Sequence, residues 1–145
     1  MEFTRAPYEY MDPLLHEPAD AFGAAAYVSA WVNVGRYHRE ALVLSVGDMA
    51  QGATLDAELW EASDAAGTGA ALIAGKAITQ LTQAGGDGDE CPIISLRNEE
   101  LTPGNAYVQV RFTVANAQVE LAYFLFGLVA DYEPVPTTRW GEIVP

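Results

Sequence analysis

Tyr107-Val108-Gln109-Val110-Arg111-Phe112-Thr113-Val114-Ala115 is the stretch on which the fold turns. Val108, Val110, Phe112 and Val114 alternate with Gln109, Arg111 and Thr113. Successive side chains of a strand point to opposite faces, so a period of two marks a strand with one face in a core and one in water. The same period recurs upstream. Leu42, Leu44 and Val46 share a face within Glu40–Val46, and Leu55, Ala57 and Leu59 share one within Thr54–Glu61, opposite Asp56, Glu58 and Trp60. Tyr27–Val34 places Val28, Ala30, Val32 and Val34 on one side and Tyr27, Ser29, Trp31 and Asn33 on the other. Val119–Val129 is apolar on both sides, the mark of a strand that is central or lies under something.

Turn chemistry separates these runs. Gly35–Arg39, Gly47–Gly52, Ala65–Gly69, Gly85–Asp89 and Pro103-Gly104-Asn105 are the breaks, and Asn116-Ala117 is short enough to close a tight hairpin between the last two strands. Ala74–Gln83 reads equally as a strand or a helical turn, and Asn98–Leu101 as a single turn. No segment reads as a long helix. Short strands at this spacing predict an all-β fold, an antiparallel β-sandwich of jelly-roll-like form over residues 25–130. Residues 1–24, with Pro7, Pro13 and Pro18, read as an extended N-terminal arm. Residues 131–145, with Pro134, Pro136 and Pro145, read as an extended C-terminal tail. Each proline removes a donor and fixes φ, which is expected to keep the arm out of the sheets, with one short turn near Pro13–Glu17.

Composition narrows the function. The 145 residues make one ordinary domain. Seven Lys and Arg stand against 20 Asp and Glu, a formal charge of −13, which argues against a nucleic-acid partner. The longest apolar run, Leu121–Ala130, is half the roughly 20 residues of a membrane span, so no membrane partner is expected. The amino end lacks the basic region and apolar stretch of a secretory signal, which points to synthesis in a cytoplasm. Cys91 is alone and closes no disulfide within the chain.

The search for chemistry returns little. His16 and His38 have no second ligand at a metal spacing and read as surface histidines. Cys91, beside Pro92, reads as an inert core thiol. Asp87, Asp89 and Glu90 lack the alternation of a calcium loop and read as a solvated turn. No catalytic, cofactor-binding or metal residue is assigned, no cofactor is expected, and the chain reads as non-enzymatic. What stands out is apolar bulk in polar surroundings: Tyr27, Trp31 and Trp60 on the polar sides of strands, Tyr8, Tyr10, Leu14 and Leu15 in the arm, and Trp140 in the tail. These eight residues are the candidate interface. A second packed layer, a subunit contact and an aromatic platform for a carbohydrate or host surface all fit them.

Several segments carry a resemblance. They include Tyr27–Val34, Ala41–Val46, Leu55–Asp64 with Gly67-Thr68-Gly69-Ala70, Lys76-Ala77-Ile78-Thr79-Gln80-Leu81, Arg97–Leu101 and Tyr107–Val114. Over about residues 25–133 the chain resembles the small head accessory proteins of tailed bacteriophages. The resemblance implies a virion structural protein, a capsid decoration or cement subunit. Such proteins commonly sit as trimers on the outer capsid surface and clamp adjacent copies of the major capsid protein. A head–tail connector or tail subunit is the nearest alternative. Extended ends suit stapling, because many small contacts in a symmetric array reinforce one another. Removal of residues 1–20 is expected to leave the body folded and to weaken assembly.

Overall fold

The computed structural model describes residues 6–130 together with Arg139 and Glu142. The strands among them are β1 (Met11–Phe22), β2 (Ala25–Val28), β3 (Val32–Asn33), β4 (Tyr37–Met49), β5 (Thr54–Ala62), β6 (Ala71–Ala77), β7 (Leu81–Thr82), β8 (Ile93–Arg97), β9 (Tyr107–Ala115) and β10 (Val119–Ala130). Sheet A has the order β1-β10-β4-β8. Sheet B has the order β2-β9-β5-β6, with β3 beside β9 and β7 beside β5. Every pairing is antiparallel, and the two sheets pack into a sandwich.

The alternating residues fill the space between the sheets. Leu42, Leu44 and Val46 of β4 and Leu121, Tyr123 and Leu125 of β10 come from sheet A; Leu55, Ala57 and Leu59 of β5 and Val108, Val110, Phe112 and Val114 of β9 come from sheet B. Phe112 is a hub. Its ring stacks on Tyr27 at 4.8 Å, meets Phe22 edge-on at 5.0 Å, and reaches across the sandwich to Tyr123 at 6.1 Å. Such ring pairs add about 0.5–1.5 kcal/mol each beyond the area they bury.

Four local expectations give way. First, the arm pairs. Residues 11–22 form the edge strand of sheet A, in register with β10 from Met11↔Leu128 to Phe22↔Val119. An edge strand needs donors on one side only, and the register slips between Pro13 and Leu15 and between Glu17 and Asp20, at the two prolines. The short turn lies earlier, at Pro7–Tyr10. Second, β9 and β10 do not pair with each other. Asn116 takes a left-handed φ of 68°, the Ala117 N–H bonds to the Ala115 carbonyl at 2.8 Å, and the chain arches from sheet B to sheet A. Third, Tyr27–Val34 is broken after Val28. Tyr27 turns inward onto Phe112, while Val28 is 62 % exposed. The backbone at Ser29 is held there from β9: the Val110 N–H donates to Ser29 Oγ at 2.9 Å, and Gln109 Nε2 to the Ser29 carbonyl at 2.7 Å.

Fourth, Cys91 is exposed. The carbonyls of Glu90 and Pro92 accept the Val46 and Leu44 N–H groups, so the residue between them lies against β4 by its backbone and turns its thiol outward. Ala74–Gln83 resolves into the end of β6, the short β7 and the start of a 3₁₀ turn at Gln83–Gly85, and Asn98–Glu100 is a single turn as its sequence suggests. Most of the proposed tail lies outside the described residues.

Residues 1–20 therefore include most of an edge strand and a piece of the core, so their removal takes more than a detachable arm. Leu14, at the first register slip, is 7 % exposed and packs in the central cluster. Leu14→Ala is expected to cost about 2–5 kcal/mol in urea unfolding. Unchanged stability would contradict this placement of β1.

Candidate functional site

The outer face of sheet A carries a continuous apolar surface among the described residues. Residues paired across a sheet share a face, so the register writes this surface out. His16, Phe124, Val43 and Ile93 form one row across all four strands. Phe126, Ala41 and Ser95 form the next. Leu128, Arg39 and Arg97 close one end. Phe124 stacks on His16 at 4.5 Å and on Phe126 at 5.4 Å, and Ile93 is 63 % exposed. At the other end Glu120 lies against Gly47, with Asp20 beside it; Ala19, Asp20, Ala21 and Glu120 line an open depression of about 350 Å³.

The outer face of sheet B is different in kind. Asp56 and Glu58 lie on it beside the exposed Val28 and Leu72, and its Trp60 ring is covered: the Arg111 guanidinium sits 3.7 Å over Trp60, whose Nε1 donates to Glu58 at 2.6 Å. Arg111 Nε in turn donates to Gln109 Oε1 at 2.8 Å.

The eight interface candidates are scattered. Leu14 is core, Leu15 and Tyr27 pack against the core, and Trp60 lies under Arg111. Trp31 is half-buried beneath the Ser63–Ala70 connection, where a Cβ on Gly67 would stand 2.7 Å from its indole nitrogen. That connection is organised by Asp64, whose Oδ1 accepts the Ala66 and Thr68 N–H groups at 2.9 and 3.0 Å. The Thr68 hydrogen bond, with those of Ala66 and Gly67, holds the Asp64 carboxyl below its ordinary range. Tyr8 is half-buried and Tyr10 is 37 % exposed. Trp140 lies outside the described residues. The aromatic pair that the sheet A face does present, Phe124 and Phe126, was not among the eight. Its signal was the apolar second side of Val119–Val129.

A second feature lies on the inner side of sheet A and was also missed. Asp12, Gly127, Glu40 and Leu96 form a row across the sheet. Gly127 leaves a gap that the Tyr37 ring fills; a Cβ there would stand 2.8 Å from three ring carbons. The Tyr37 hydroxyl donates to Asp12 Oδ2, and Arg139 Nη1 reaches the same oxygen at 2.5 Å. Asp12 is fully buried. Burial first, and then the Asp12 contact, push the Tyr37 hydroxyl up to about 12. Glu40 is 1 % exposed and neither carboxylate oxygen has a hydrogen-bond partner among the described residues. Burial alone pushes it up to about 8, so it is largely protonated at neutral pH.

The two histidines do not meet. His16 stacks on the outer face of sheet A, and His38 lies at the start of β4. The Asp87 carboxylate caps the Thr82 N–H at 2.8 Å, which ties the Gly85–Asp89 turn to β7. Among the described residues no group of three or more His, Cys, Asp or Glu side chains is placed to hold a metal ion. No family model, characterised protein or solved structure matches the chain.

The buried Glu40 makes stability depend on pH. The unfolded chain releases this proton near its ordinary value of 4.5, while the folded chain holds it to about 8. Its contribution is complete below the unfolded value, declines as pH rises through this window and levels off above it. Between pH 5 and 8.5 the thermal midpoint of the native protein is expected to fall by at least about 5 °C more than that of Glu40→Gln. Parallel pH profiles for the two proteins would contradict this.

Proposed function

We propose that this chain is a non-enzymatic structural subunit of a tailed-phage virion, a capsid decoration or cement protein held on the outer surface of the head. Its partners in this reading are the major capsid protein and further copies of itself. The observation that carries the reading is the outer face of sheet A, where Phe124, Phe126, Val43 and Ile93 form an apolar surface on an otherwise strongly acidic chain. Interface cores are depleted in charge and enriched in aromatic residues, and this face has both properties. The resemblance in the sequence supplies the phage context and the jelly-roll-like form.

A subunit of this kind needs a rigid body and a contact face. Phe112 and its ring partners tie the sheets together, and the backbone of β10 is paired on both sides, so Phe124 and Phe126 stand on an interior strand of sheet A. Preorganised anchors lose little conformational entropy on contact. Among the described residues the glycan-platform reading draws less support. Trp60 is roofed by Arg111, and Trp31 is packed under the Gly67 connection.

Purified protein mixed with empty, expanded heads of a phage that carries it is expected to pellet with them at a saturable number of copies. Decorated heads are expected to survive heating that opens bare ones. The double variant Phe124→Ser, Phe126→Ser is expected to unfold cooperatively and to bind shells at least about tenfold more weakly, a loss of about 1.4 kcal/mol. Native protein that ignores the shells, or a double variant that coats them equally well, would overturn the reading.

A further inference from the structure

We propose that the outer face of sheet A pairs with the same face of a second copy of this chain, about a two-fold axis that crosses the strands. The inference rests on the assembly reading above and names the first occupant of its contact face.

Three features of that face argue for a second copy. The first is where its charge sits. Arg39 and Arg97 lie opposite each other at one end, and Glu120 lies beside Gly47 at the other. Val43, in the row with Phe124, falls midway along β4 between Arg39 and Gly47. An axis along that row turns the partner's strands antiparallel. It lays the aromatic centre on itself and brings Arg39 of each copy to the end where the other copy carries Glu120. The face is thus complementary to itself under one symmetry operation, which is the requirement for an isologous pair. An axis along the strands would instead set arginine against arginine.

The second feature is the charge of the whole molecule. Two copies at −13 each repel, and they approach at least cost through a face whose carboxylates are offset by Arg39 and by Arg97, itself paired with Glu99 at 3.6 Å. Asp56 and Glu58 lie on the far side of the sandwich, on sheet B.

The third is size. Strands β1, β10 and β4 span about 14 Å, the eight steps of β4 from Arg39 to Gly47 span about 27 Å, and β8, which pairs only with Arg39–Val43, adds a half-length strip, so the flat area is about 450 Å² per copy. Weak, reversible pairs bury about that much on each partner. Two sheets laid face to face at about 10 Å, with aligned strands, would repeat outside the sandwich the packing already inside it.

Sedimentation equilibrium on the full chain, over a wide concentration range, tests the inference. A monomer–dimer equilibrium is expected. Phe124→Glu is expected to weaken it at least about tenfold. Arg39→Glu and Glu120→Arg are each expected to weaken it severalfold, and the two together to restore most of the loss. Arg39 and Glu120 are both exposed, so these charge variants keep the test decisive if Phe124→Glu fails to fold. A chain that stays monomeric throughout overturns the inference. So does a dimer indifferent to Phe124 or to the charge exchange, a closed three-fold ring, or a dimer that appears only once residues 131–145 are removed. A strictly monomeric chain that still coats phage shells would leave the proposed function standing without this pair. A dimer that responds as expected and ignores shells would do the reverse.

Discussion

Strand β10 is apolar on both sides beyond Glu120, and the rest of the molecule is arranged around that constraint. Leu121, Tyr123 and Leu125 must enter a core, while Ala122, Phe124, Phe126 and Leu128 must face the other way. Such a strand cannot sit at an edge without exposing apolar bulk beside unpaired backbone. It takes the centre of sheet A, between β1 and β4. That position draws the N-terminal segment into the sheet in spite of its prolines. It also forces the chain to arch between the sheets after Asn116, where a hairpin would have left β10 beside β9 in sheet B.

The same strand sets the two unusual surfaces of sheet A. Inside, Gly127 admits the Tyr37 ring, and the ring hydroxyl satisfies one oxygen of buried Asp12. Glu40, in the same row, has no such partner among the described residues and is held neutral instead. Burying an ionised carboxylate without a partner would cost far more than protonating it. Outside, the stacked His16, Phe124 and Phe126 rings remain half in water. A molecule that keeps so much negative charge elsewhere and so little here is suited to being held by this face.

Much of the architecture was legible in the sequence because its signals are periodic. The alternation in Glu40–Val46, Thr54–Glu61 and Tyr107–Ala115 gives the core positions that the structure fills. The doubly apolar run Val119–Val129 gives the central strand. Periodicity fails where a single contact overrides it. At Ser29 the hydrogen bonds from Val110 and Gln109 break the strand and send Tyr27 inward in place of Val28. Composition fails at β1, since a proline excludes a strand from pairing only on the side where its N–H would have served. The interface was half legible. The apolar second side of β10 marks it, whereas the tryptophans, the more conspicuous rings in the sequence, are occupied within the chain by Arg111 and the Gly67 connection. Two further signals of the inner row stand in the sequence. Glu40 is in phase with Leu42, Leu44 and Val46, and Gly127 interrupts an apolar strand, a mark of close approach by another group.

Hydroxyl-radical footprinting, read ring by ring as the protein is taken from dilute solution to its assembled state, tests the central claim most directly. Phe124 and Phe126 are predicted to lose their labelling together on assembly, while Tyr107 and Trp60 of sheet B keep theirs. Equal labelling of Phe124 and Phe126 in both states would mean that the molecule is held by some other surface, and the account would fail.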